Sequence, residues 1–549
     1  MNNDLFMDSA HVLAQNWELI LAILFCVSWG ILLTFAILKR TAGTQFTDAE
    51  LAALSLGGWP LPALIFSALV LTLRLFISAG VVSVIAFAFL AISTGAAIYA
   101  VWKRVSCDLV IPVFIFLFFV FIRLGFSANV VLPPYFDSAE HYRIIQLLIN
   151  MDDVFTTSYY HIGYHVIIAA FTWLTHANLG QAMLLFGQVI LAAIPLPMCF
   201  FVHRATNSNT AAWFAVTLAA FGWFMPVHAV NWGKYPALLS LLLIQFTIGV
   251  AIIKNHWLFA LSLAAAVLIH SRAIILLGAL GAAWMLSAIP RNKRTLIFAL
   301  TGTLLGMAIL LINRNQVIRP IFEPYVNWVT LLVLLLAVSV FQSFPRLTVF
   351  SLLAILLMLA GMFIPVTSAL TLLDRPLVEM TLFLPLAFLG GLGATRLPKF
   401  VMIVLVAVII IHAWMMYNFS PSDCCQLVSR DDAVTLDWMD KHLPANALIA
   451  IASRDLSLSA FGAPMFGTGA DAGIWVVPLT GRTILDLPNS TDFIDQSTHE
   501  LLCRQQVTHI YVGGLPRSFE SEFADAKPEW YKTIFVLPGA RVVQTLGCD

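Results

Sequence analysis

Between Trp17 and Tyr417 the chain is a succession of apolar runs, each cut off by a short turn carrying Lys, Arg, Pro or Gly. A helix needs about 20 apolar residues to cross a bilayer. Fourteen runs approach that length: 17–38, 51–73, 77–102, 109–127, 180–202, 210–227, 236–253, 257–271, 272–289, 295–313, 326–344, 347–364, 377–396 and 400–418. The pattern changes at Ser420. Beyond it, apolar positions fall at helical spacing over 432–442 and then in short strand-like blocks at 448–452, 507–512, 533–537 and 540–545. The pattern predicts a polytopic α-helical membrane protein of about 14 spans, followed by a small α/β domain.

Composition agrees with that reading. The chain has 549 residues, 60% apolar and 11% charged, with mean hydropathy +0.91. Soluble chains run at about 45–50% apolar and about 25% charged, so a soluble enzyme, a disordered chain and a small disulfide-stapled scaffold are excluded. Lys+Arg and Asp+Glu are 29 each, and no basic excess points to nucleic acid. The neutrality conceals two opposite parts. Residues 1–419 carry 20 basic and 13 acidic residues, and 420–549 carry 9 and 16.

Charge also sets an expected orientation. Twelve basic residues, including Lys39-Arg40, Lys103-Arg104, Arg204, Lys254 and Arg291, sit at alternate span ends and mark the cytoplasmic side. Both termini and the C-terminal domain are then extracytoplasmic. The first apolar run follows Asp4 and Asp8 with no basic residue before it, which reads as a retained span rather than a leader. Asp137, Glu140, Asp152, Asp153, Glu323, Asp374 and Glu379 gather on the external side, and that is where chemistry is expected.

Loop 128–179 interrupts the regular alternation. Pro133-Pro134 ends the preceding helix, and Ser138 is placed to cap a new one. On that helix Asp137, Glu140 and His141 share a face, opposite Ile144, Ile145, Leu147, Leu148 and Ile149. An amphipathic helix on the membrane surface follows. Next comes Tyr159-Tyr160-His161-Ile-Gly163-Tyr164-His165 and a run too short to span, read as a second interfacial or re-entrant helix. His161 and His165 stand at i, i+4, a metal-ligand spacing; the same spacing also serves packing and hydrogen bonding. Asp137 reads either as a general base or as an N-cap.

These features resemble the GT-C superfamily of membrane glycosyltransferases, which includes protein mannosyltransferases, aminoarabinose transferases and arabinosyltransferases. The likeness rests on Asp137-Ser-Ala-Glu140-His141 opening the first large external loop and on the two juxtamembrane helices after it. It rests also on Asp374-Arg375-Pro376 before a Gly-rich span, Leu389-Gly-Gly-Leu-Gly393, and on a small terminal α/β domain. It divides the chain into additional N-terminal helices (1–104), a GT-C-like core (105–419) and the extracytoplasmic domain (420–549). Two departures stand out: four spans rather than one precede the acidic loop, and the motif is D-x-x-E-H.

The resemblance implies an inverting transfer of sugar from a polyprenyl-phosphate donor to a glycan, lipid or protein acceptor. Asp137 is the candidate base, with Glu140 and His141 orienting it or joining His161 or His165 on a divalent ion (Mg, Mn, Ca or Zn). Lys234, Arg272 and Arg375 are candidates to hold the donor phosphate. Each has a plainer reading: Lys234 as an interfacial anchor, Arg272 as a snorkelling side chain, Arg375 as half of a surface ion pair with Asp374. An oligosaccharyltransferase or ligase, and a lipid or solute transporter, are the other function classes the sequence allows. Asp471–Arg482 is read as a turn around a core Trp475 or as a return toward the membrane. Of seven cysteines, Cys424, Cys425, Cys503 and Cys548 lie in the last domain, where disulfides are permitted. The expected pairing joins Cys424 or Cys425 to Cys503 or Cys548. No P-loop, Rossmann fingerprint or internal repeat is present.

Overall fold

In the computed structural model, residues 5–42, 45–102, 109–151, 161–289, 293–367, 371–417, 419, 421–422, 424–455 and 467–548 are described. Lys103, Arg104, Cys107, Asp152, Asp153, Tyr159, Tyr160 and Arg291 lie outside these residues.

All fourteen apolar runs fall on helices, and these differ in length. Among the described residues, seven helices are long and apolar enough to cross a membrane, or nine if each of two bent pairs counts as one. The remaining five runs fold into shorter apolar helices, such as Asn209–Phe221 and His256–Ile269. At 1.5 Å per residue, the 14 residues of His256–Ile269 reach about 21 Å, short of the roughly 30 Å hydrocarbon layer. Asn178, Ser208, Asn255 and Asn327 each accept a backbone N–H of the turn they open, satisfying a donor that has no partner inside the helix. The bend between Asp48–Gly58 and Pro60–Leu73 is 40° and falls at Pro60, and that between Ile318–Tyr325 and Trp328–Val340 is 88°.

Leu179–Thr206 and Arg375–Ala394 are almost wholly buried and form the middle of the helical body, whereas Ala79–Trp102 and Lys399–Met416 turn most of their surface outward. Glycines allow the central helices to touch. A Cβ on Gly390 would meet Leu218 at 2.2 Å, one on Gly391 would meet Ala215 at 2.7 Å, and one on Gly393 would meet Leu336 at 2.4 Å. Small residues at such contacts let backbones approach closely.

Among the described residues, the polar domain contains six strands: β1 (Leu448–Asp455), β2 (Gly467–Gly469), β3 (Thr483–Pro488), β4 (His509–Val512), β5 (Tyr531–Leu537) and β6 (Ala540–Thr545). β1 pairs parallel with β3 and β4; β4–β6, β6–β5 and β1–β2 are antiparallel. Helix Arg430–His442 opens with a capping box of Ser429 and Asp432. The disulfides differ from the expected pairing: Cys424 bonds to Cys425, and Cys503 to Cys548. The sheet explains the second bond. It brings the chain end after β6 beside helix Gln496–Arg504, with the His499 ring nitrogen 2.8 Å from the Leu546 carbonyl. The 424–425 turn is held elsewhere, its carbonyls taken by Tyr135 and Arg517.

Candidate functional site

The acidic loop folds into helix Phe136–Asn150. It begins three residues earlier than the Ser138 cap implies. Tyr135 occupies the N-cap position at φ 67° without a side-chain cap, and Ser138 Oγ donates to the Pro134 carbonyl. Asp137 therefore lies inside the first turn and does not cap. Its carboxylate instead takes Lys234 as an ion-pair partner.

A glycine makes that pair possible. Residues Val227–Trp232 form a 3-10 turn that ends at Gly233 with φ +64°. A Cβ there would sit 2.4 Å from Ser138 Oγ and 2.9 Å from the Ser138 nitrogen. Only glycine accepts both the positive φ and this approach. The turn thus lies against the start of the acidic helix and delivers Lys234 to Asp137.

A second ion pair stands nearby. Arg272 follows helix His256–Ile269 and pairs with Asp374, which N-caps Arg375–Glu379 by accepting the Leu377 N–H at 2.9 Å. One carboxylate thus closes a helix end and holds a guanidinium. Lys234, Arg272, Asp374, His161, His270 and Ser271 line a single cavity of about 120 Å³, whose apolar wall includes Pro236, Ala237, Leu377 and Met380. The rings of His161 and His270 meet edge to face at 4.4 Å. Burial, followed for His161 by its His270 neighbour and for His270 by the Arg272 charge, pushes both down to about 3. Both imidazoles are neutral at pH 7, so the positive charge on this wall belongs to Lys234 and Arg272.

The other expected residues are arranged differently. Glu140 makes two hydrogen bonds to Arg143, at 2.7 and 2.8 Å, and does not orient Asp137. His141 is buried, its Nδ1 3.1 Å from Nε2 of His165. Arg375 does not line the cavity and lies 3.6 Å from Glu379. His161 precedes helix Gly163–Thr175 rather than lying on it, so His161 and His165 do not share a helical face. Among the described residues, three-donor groups tight enough for a metal are His228 with Cys424 and Cys425, and His499 with Cys503 and Cys548. Neither includes His161 or His165, and in both the sulfurs are joined in disulfides rather than present as the thiolates that bind metal. The cavity's chemistry is carried by its two cations and their carboxylates.

His270 and Ser271 are cavity residues that the sequence reading did not nominate, and Asp374 entered it as the partner of Arg375 rather than of Arg272. Arg272 and Asp374 are 102 positions apart, and Lys234 and Asp137 are 97 apart. No local spacing signals such pairs. No protein-family model and no curated protein matches the chain.

Proposed function

We propose that the chain is a membrane glycosyltransferase that moves a sugar from a polyprenyl-phosphate carrier to an acceptor on the face carrying the polar domain. The carrying observation is a cavity with two cations, each held by a carboxylate, on a partly apolar wall. An arriving phosphate competes with Asp137 and Asp374 for Lys234 and Arg272. The competition frees Asp137 as the donor seats. Asp137 then takes the proton of the acceptor hydroxyl. The acceptor oxygen bonds to the anomeric carbon as the bond from that carbon to the phosphate oxygen breaks. The electron pair leaves on the phosphate, where Lys234 and Arg272 stabilise it. The neutral His161 and His270 hydrogen-bond the head group without adding charge.

Transfer of radiolabelled sugar from a panel of polyprenyl-phosphate donors into membranes tests this reading. Asp137→Asn is expected to lower transfer about 10²-fold or more, the range for loss of a general base, with expression unchanged. Lys234→Ala is expected to raise the donor KM. Undiminished transfer by Asp137→Asn removes the assigned base.

A further inference from the structure

A second charged group lies well apart in chemistry from the cavity above. Arg123 sits in the last turn of helix Val110–Leu124 and is only 6% exposed. Among the described residues, none of its three guanidinium nitrogens has a hydrogen-bond partner. Its nearest aromatic neighbours are Phe126 and Phe419, each with its ring centre 5.9 Å from the guanidinium carbon. Arg123 lines a small crevice between helices Val110–Leu124, Leu179–Ala193 and Asn209–Phe221, with its guanidinium nitrogens buried beneath it. Every other lining residue is apolar, among them Phe119, Ile122, Leu191, Pro195 and Val227, and the crevice shares no residue with the Lys234 cavity. Phe114, Leu117 and Phe118 on the same helix are exposed, so the crevice adjoins surface that faces lipid.

A buried guanidinium with no counter-charge is strongly disfavoured. The ligand that repairs it brings an anion matched to a planar fork of N–H donors, on a body that suits apolar walls. We infer that the Arg123 crevice binds one anionic phospholipid, its phosphodiester on the guanidinium and an acyl chain along Phe119, Ile122 and Leu191. The crevice has no acid or base, so this lipid is held and not reacted. The inference is independent of the proposed transfer reaction.

The full chain, purified in a neutral detergent and stripped of lipid, is titrated with phosphatidylglycerol, phosphatidylcholine or inorganic phosphate. Binding is read by native mass spectrometry and by thermal unfolding. One phosphatidylglycerol is expected to bind with a saturable rise in Tm; phosphatidylcholine is expected to bind about tenfold more weakly, and inorganic phosphate to leave Tm unchanged. Arg123→Met is expected to be at least as stable as wild type without lipid, since it removes the uncompensated charge, and to lose the lipid-induced rise. Ala220→Phe, which fills the crevice beside an intact Arg123, is expected to lose it too. An equal rise with phosphatidylcholine, with inorganic phosphate, or in both variants overturns the assignment.

Discussion

At the scale of single residues, carboxylates partly or wholly withdrawn from water divide into those given a cation and those left without one. Asp137 and Asp374 each hold a cation at the cavity. Asp471, in the polar domain, is fully buried and accepts the Gly473 N–H at 2.8 Å. Burial pushes its acid up to about 6, against the hydrogen bonds from Ser518 and the Gly473 and Gly513 backbone, and the Asp432 carboxylate adds to the rise. A carboxyl whose folded value lies above its unfolded one favours folding while protonated. The contribution is full below the unfolded value near 3.8, falls as pH rises from there to about 6, and is lost above it. Asp471→Asn keeps the acceptor for Gly473 and never ionises. It is expected to equal wild type near pH 4 and to exceed it at pH 7 by about 3 kcal/mol. Thermal unfolding of both chains from pH 4 to pH 8 reads this as a gap that opens with pH and then levels. A constant gap contradicts the assignment. The sequence marks Asp471 as the start of a segment but carries no sign of its burial, because Ser518 and Gly513 reach it from more than forty positions away.

Elements were legible in proportion to how local their cause is. The helices of the body follow from apolar run length and from caps beside them, both visible in one window of sequence. Strands β1, β4, β5 and β6 coincide with the apolar blocks read there. β3 was missed because it is mostly exposed, carries Asp486 and ends in Pro488, features of an edge position rather than of a buried strand. The fourteen apolar runs became helices of unequal length, because apolar content does not reveal where a helix starts and stops. The Gly-rich motif at 389–393 has a packing role that its composition left open. Gly391 meets both Ala215 and Val202, the latter with a Cβ approach of 2.8 Å. Gly391→Leu is expected to overpack this crossing and cost about 1–3 kcal/mol, seen as a lower Tm of the purified chain. Gly278→Leu, where a Cβ would meet nothing within 4 Å, is the control and is expected to leave Tm near wild type. Equal loss in both variants would mean that the central crossing carries no special constraint.

For the whole molecule, the acidic helix Phe136–Asn150 is where body and polar domain meet, and both hold it. From the body come Gly233 against Ser138, and His165 against His141. From the domain, Ala139 is buried in one apolar cluster with Leu436, Met439 and Trp475, and the Tyr142 ring lies edge-on to Trp475 at 5.4 Å. The segment after Asp471 thus does return to the acidic helix, with Trp475 at its centre. Tyr135, whose positive φ with extended ψ costs roughly 1–3 kcal/mol, donates its N–H to the Cys425 carbonyl at 2.9 Å. The strained residue that starts the acidic helix is therefore held by the domain, and the position of Asp137 depends on docking of a domain nearly 300 residues later in the chain. Ala139→Arg places a charge in the shared cluster, at a cost of several kcal/mol, without touching Asp137 or Lys234. Hydrogen exchange is expected to show lost amide protection across 136–150 while β1 and β4 keep theirs, and sugar transfer is expected to fall with it. Asn150→Arg, at the exposed end of the same helix, is expected to change neither. Protection that survives in Ala139→Arg would mean that the body alone positions the acidic helix.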